Sequence, residues 1–185
     1  YLGDNGYVCD KLVLSDNYRT KAYYSPMTFT ATVATYDREF TSNNSTVCLP
    51  FELESIPTGF TVGAPIEDGS NEYCVNFGQT NRISANVPLL IFTDGQNRTL
   101  SGTNVLVKST ITKYVEQEVL NHKIIGRFSP ITIAGNTGKI YAFKNNSLVR
   151  IGDDYTLTVN TFRCYLTSTS GNAAEIRFTA DEEFE

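Results

Sequence analysis

The chain has 185 residues, 41% hydrophobic and 19% charged, with eleven Phe, eleven Tyr and a net charge of -5. This length and composition exclude a disordered chain and suit one large all-β domain or two small, tightly joined ones with a real core. The acidic balance and the lack of any basic run argue against nucleic acid, while the longest apolar run, "VPLLIF", falls far short of the roughly 18 residues a membrane helix needs, so this segment is not expected to insert into a membrane.

The chain starts at Tyr1 without an initiator Met or signal-like segment, and is read as a processed product or a part of a longer protein. In "MTFTATV", Met27, Phe29, Ala31 and Val33 share one side against Thr28, Thr30 and Thr32, the alternation of a half-buried strand. Parity then changes, with Tyr36 and Phe40 in bulky positions alongside Ala34 and Arg38, so a bulge or bend is expected near Ala34. "SNNS" supplies turn chemistry, and a strand is expected from Thr46. There Val47, Leu49, Phe51 and Leu53 form an apolar stripe, with Thr46, Cys48, Pro50 and Glu52 on the other side; Pro50, lacking an N–H, suggests an edge strand or bulge.

Further strands are expected at "GFTVG", "NEYCVNFG", "VPLLIF", "TNVLVKSTI", "SPITI", "KIYAF", "LVRI", "YTLTVNTFRCYLTS" and "AEIRFTA". "TKYVEQEVLNHKIIG" is ambiguous: Val115 and Val119 at i, i+4 fit a short helix, against an extended segment or loop. "IYAFKNNSLVRI" reads as a hairpin turning over Lys144 to Ser147. Many short strands separated by turn residues predict an all-β fold, a β-sandwich or barrel-like and mostly antiparallel, as one unit or two packed halves with at most one short helix. The whole of 1–185 is taken as a single β module; "QNRTLSGTN" marks candidate sub-halves 1–96 and 104–180, and 181–185 is linker-like.

Catalytic chemistry finds little support. A thiol enzyme needs a thiolate activated by a base, and His122 is the sole histidine; Cys9, Cys48, Cys74 and Cys164 all sit in strand-like runs without a glycine elbow. A serine triad needs the same His122, and no G-x-S-x-G exists. Cysteine separations of 39, 26 and 90 residues do not resemble a zinc site. No catalytic, metal or cofactor-binding residue is therefore assigned, and no cofactor is expected.

Four cysteines allow three disulfide pairings; Cys48 and Cys74, both on the less apolar sides of their strands, can face one another, but free buried thiols are favoured because a core this large needs no staples. The acidic pairs Glu52/Glu54 and Asp153/Asp154 and the "DEEFE" end read as solvated charge rather than a glycosidase pair, and "IGDDYTL" lacks calcium-loop spacing. Asn43, Asn44, Asn97 and Asn145 lie in N-x-S/T acceptors, meaningful only in a eukaryotic secretory host.

The ordered set "YVCDKLVLSD", "YYSPMTFTATVATYDREF", "STVCLPFEL", "NVPLLI", "GRFSPITI", "KIYAFKNNSLVRI" and "NTFRCYLT" resembles a C-terminal-type β module of exported and cell-surface proteins of the Bacteroidetes, which often follows leucine-rich or other repeats. The resemblance spans nearly the whole chain. It implies export, an extracellular or outer-membrane surface location, an all-β structure and a non-catalytic role, with "VCLPF" and "FRCYL" as framework strands. In the latter Phe162, Cys164 and Leu166 are expected inward, and Arg163 and Tyr165 outward. Such modules commonly precede a sorting segment, whereas this chain stops at "FTADEEFE".

Two functions follow as expectations. The first is an adhesion or structural interaction module with a protein partner. The alternative is a glycan-binding module of a carbohydrate-capture or carbohydrate-active protein, which requires exposed tyrosines along a groove.

Overall fold

In a computed structural model of the chain, residues 2–3, 6–40, 44–67, 73–93, 95–137, 139–144, 147–169 and 175–179 are described. Over these residues the fold is all-β, as expected, with two 3-10 turns and no α-helix.

Strands β1 (Leu2–Gly3), β2 (Gly6–Ser15), β3 (Phe29–Glu39) and β8 (Asn97–Val107) form one sheet, ordered β1-β2-β3-β8. A second, ordered β16-β6-β5-β7-β4, contains β4 (Asn44–Val47), β5 (Phe60–Ile66), β6 (Cys74–Thr80), β7 (Leu89–Thr93) and β16 (Glu175–Thr179). The third, ordered β13-β12-β15-β10-β9, contains β9 (Tyr114–Val119), β10 (His122–Arg127), β12 (Ile140–Lys144), β13 (Ser147–Arg150) and β15 (Cys164–Ser168). A ribbon of β11 (Ile131–Ala134) and β14 (Thr156–Val159) completes the set. Pairing is antiparallel except for β2 with β3 and β16 with β6. The segment "QNRTLSGTN" lies mostly within β8, which pairs along the length of β3.

The parity change in β3 is present, slightly earlier than expected. Thr32 is skipped in the ladders to both β2 and β8, and opposite it Asn104 has a φ of 52°, a left-handed conformation that Asn tolerates. Beyond this point Ala34, Tyr36, Arg38 and Phe40 all point into the core. An arginine thereby occupies an interior position.

The ambiguous 112–126 stretch is a hairpin, not a helix. Val119 pairs with His122 across the two-residue loop Leu120–Asn121, with Leu120 at φ 53°. The i, i+4 valines are instead i, i+4 on one strand, and Val115 and Val119 share a face by the period of 2 as well. The β12–β13 hairpin matches expectation, with Lys144 paired to Ser147; its loop residues, Asn145 and Asn146, lie outside the described residues, as do Asn43 and the 181–185 tail.

Two orientation expectations fail for one reason: several segments are covered on both sides. Cys48 was expected to point away from the apolar stripe, yet it is fully buried in the same core as Val47, Leu49, Phe51 and Leu53. β4 ends at Val47, and Cys48–Leu53 runs between sheets, tied by Cys48 N donating to Phe162 O (3.1 Å) and Lys108 N donating to Pro50 O (2.7 Å). "YTLTVNTFRCYLTS" is likewise two strands, β14 and β15, in different sheets. Leu166 and Cys164 face the main core, while Tyr165, expected outward, packs with Ile125, Ile140 and Val159 in a second core under the β11–β14 ribbon. Burying each large apolar side chain contributes roughly 1.5–3 kcal/mol, so covering both faces of this sheet is a strong driving force.

Candidate functional site

None of Cys9, Cys48, Cys74 and Cys164 is in a disulfide; Cys48, Cys74 and Cys164 are buried and Cys9 is half-buried. Burial pushes the Cys164 thiol up to about 12 and the Cys48 thiol well above its ordinary value, with each other's proximity adding to the rise at Cys48. Such thiols are protonated and inert as nucleophiles at neutral pH. His122 is buried on β10, in register with Val119 and Ser168. Glu52 and Glu54 line two further surface clefts, of about 530 and 270 Å³, Asp153 makes a long contact with Arg150 (3.9 Å), and Asp154 is exposed. Asn44 is buried in β4, where a glycan does not fit.

The densest polar cluster lies elsewhere, where the C-terminal end of β2, β3, β4, β12 and the β14–β15 turn converge. Ser15 ends β2 and caps the following 3-10 turn, its Oγ accepting from Asn17 N (3.2 Å). That turn delivers Asp16. On the opposite side, residues Asn160–Arg163 form a turn with Phe162 at φ 64°, an unusual conformation for a bulky residue. It is held by Thr161 Oγ1 donating to Lys21 O (2.6 Å), Phe162 N to Arg127 O (2.7 Å), and contacts of the Phe162 ring with Tyr23 and Tyr36.

This turn aims Arg163 at two partners: Nη2 donates to Asp16 Oδ1 (2.5 Å) and Nη1 to the Tyr36 hydroxyl (2.6 Å), while the Tyr36 hydroxyl in turn donates to Asp16 (3.2 Å). The expectation that Arg163 points outward is thus replaced by a half-buried ion pair with a residue 147 positions away. Arg38 lies beside it, buried, donating from Nη1 to Thr46 O (2.9 Å) and from Nη2 to Ser45 Oγ (2.6 Å), and stacked 4.5 Å from the Phe40 ring centroid. Its Nε has no hydrogen-bond partner among the described residues. Burial, then the charge of Arg163, pulls the Arg38 pKa down to about 10. Burial raises that of Tyr36, against the opposing pull of Arg163 and Arg38.

Two clefts share Arg38, Asn160 and Arg163 as a common wall. The larger, about 710 Å³, has mixed charge: Asp16, Asp37 and Glu39 alternate with Arg19 and Arg98. The smaller, about 400 Å³, adds Lys144, Asn44, Ser45, Thr46 and Thr158 over a floor that includes Phe143, Leu157 and Val159. Together they can hold a polar, charged ligand by charge-assisted hydrogen bonds. None of the exposed tyrosines, Tyr7, Tyr18, Tyr24, Tyr73, Tyr114 and Tyr155, lines either cleft or the two beside Glu52.

Arg38 was visible in the sequence only as a charged residue at an apolar-parity position, and Asp16 and Asn160 carried no signal, because the turns that aim them are tied to distant strands. No family model, curated protein or solved structure matches this chain.

Proposed function

We propose that the chain is a non-catalytic interaction module of an exported bacterial surface protein, presenting the paired clefts around Arg38 and Arg163 to a macromolecular partner. The observation that carries this reading is the shared Arg38–Asn160–Arg163 wall: charged and amide groups grouped at a concave surface, with one guanidinium buried and incompletely satisfied. The protonated, buried Cys48 and Cys164 support a framework role for "VCLPF" and "FRCYL". Export and a Bacteroidetes surface location rest on the resemblance of the sequence motifs. A glycan-binding module is the second reading, and the absence of exposed tyrosine from these clefts weighs against it.

The test is an array of matrix proteins and glycans probed with the purified chain. Selective protein binding is the expected result. Binding confined to neutral glycans transfers the assignment to the second reading.

A further inference from the structure

Among the described residues lining the smaller cleft there are three cations, Arg38, Lys144 and Arg163, and no carboxylate. In a chain of net charge -5 this is a local reversal of sign. Asp16 balances Arg163, but Arg38 is held by the neutral oxygens of Thr46 and Ser45. The charge of Asp16 reaches Arg38 as well, but a buried cation whose direct hydrogen bonds go only to neutral groups is costly, and its attraction for an incoming anion is strengthened by the low local dielectric.

Resting on the interaction-module reading above, we propose that this cleft receives a carboxylate side chain from an acidic peptide segment of the partner. The carboxylate enters between Lys144 and the guanidinium groups of Arg38 and Arg163, accepting from the Lys144 ammonium and from Nη–H bonds beyond those already given to Ser45, Thr46, Asp16 and Tyr36. The side-chain amide of Asn160 and the hydroxyl of Thr158 add uncharged hydrogen-bonding groups.

Three features favour a peptide over an acidic sugar. The cleft shares the wall of Arg38, Asn160 and Arg163 with the larger one, so a chain crossing that wall meets both. The larger cleft carries both signs, with Arg19 and Arg98 against Asp37 and Glu39, which suits the mixed side chains of a polypeptide. No exposed tyrosine offers a stacking platform on either side.

The test titrates the intact chain with a blocked Gly-Asp-Glu-Asp-Gly peptide, its Gly-Asn-Gln-Asn-Gly counterpart, trigalacturonate and inorganic phosphate. Calorimetry gives affinity, and the arginine Nε–H resonances in a ¹⁵N spectrum report the site. The acidic peptide is expected to bind and displace the Arg38 and Arg163 signals, with the amide peptide silent. Lys144→Glu, an exposed change that spares the fold, is expected to weaken binding about fivefold, as expected for reversing one rim charge. Arg38→Lys is expected to weaken it further, and its folding is checked by the same spectrum.

Equal binding of the amide peptide, indifference to Lys144→Glu, or unmoved arginine signals overturns the proposal. Tighter binding of trigalacturonate overturns the peptide assignment in favour of an acidic glycan, and equal competition by phosphate overturns it in favour of a general anion site. A protein partner found on the array whose binding ignores Lys144→Glu sinks this cleft while leaving the module reading intact. An array without any protein partner sinks the module reading, and the peptide titration still decides the cleft.

Discussion

The sulfur of Cys48 fills the space that a β-carbon would occupy at Gly126 of β10: a methyl built there falls well inside van der Waals contact of Sγ and 2.7 Å from Cys48 Cβ. The glycine is thus the complement of the cysteine, letting a segment between sheets lie against the third sheet. Gly126→Ala is expected to destabilise the chain by about 1–3 kcal/mol, the usual cost of overpacking a dense core. Adding Cys48→Ala to that variant should recover part of the loss. Urea denaturation of both single variants and the double variant measures the coupling; a double variant no better than Gly126→Ala alone would show that the sulfur is not the obstacle.

The raised thiol pKa values make stability fall in alkali. Cys48 and Cys164 sit above their ordinary value of 9.0 in the folded chain, Cys164 at about 12. Above pH 9 the unfolded chain releases thiol protons that the folded chain keeps, so the stabilisation is complete below pH 9 and is lost as pH rises toward 12. Arg38, drawn down to about 10, acts in the opposite sense once pH exceeds that value, while Tyr23, Tyr36 and Tyr165, raised above 10.0, then add to the thiols' effect, leaving pH 9–10 as the interval in which the thiols dominate. The loss across that interval is expected to be about 2 kcal/mol for the two thiols together. Denaturation midpoints at pH 8, 9 and 10 read it, and Cys164→Ala should reduce the slope by roughly half.

The Asp16–Arg163–Tyr36 cluster joins the end of β2 to the β14–β15 turn. Asp16→Ala removes the acceptor for both the guanidinium and the phenol, and is expected to cost about 2–3 kcal/mol, since both partners are largely out of solvent. Tyr36→Phe, which leaves the ion pair in place, should cost about 1 kcal/mol. Thermal melts of the two variants compare them. An equal, negligible effect would identify the pair as a surface ion pair of no structural weight.

Leu120 opens the β9–β10 loop at φ 53° with its side chain exposed, so it gains little from burial while occupying a region that favours glycine. Leu120→Gly is expected to stabilise the chain by about 0.5–1 kcal/mol, seen as a rise in Tm of about 1–4 °C. A fall in Tm would mean that the exposed side chain makes a contact worth more than the backbone relief.

Much of the architecture was legible locally. The period-2 patterns of "MTFTATV" and "IYAFKNNSLVRI" and the parity change ahead of Tyr36 identified strands, a hairpin and a local irregularity in β3 that leaves its register unbroken, because side-chain alternation is a property of the strand itself. What alternation does not carry is what covers each face. Cys48 and Tyr165, read as outward, are buried because a neighbouring sheet and the β11–β14 ribbon enclose sides that an isolated strand would show to water. The choice of hairpin over helix at 112–126 was likewise made by β15, which pairs with β10 and completes its ladder. The clefts follow the same rule. Arg38 takes its inward direction from local parity, but its meeting with Arg163, Asp16 and Lys144 brings together residues from four distant parts of the chain, and only the closing of the sheets around a common core places such charges side by side.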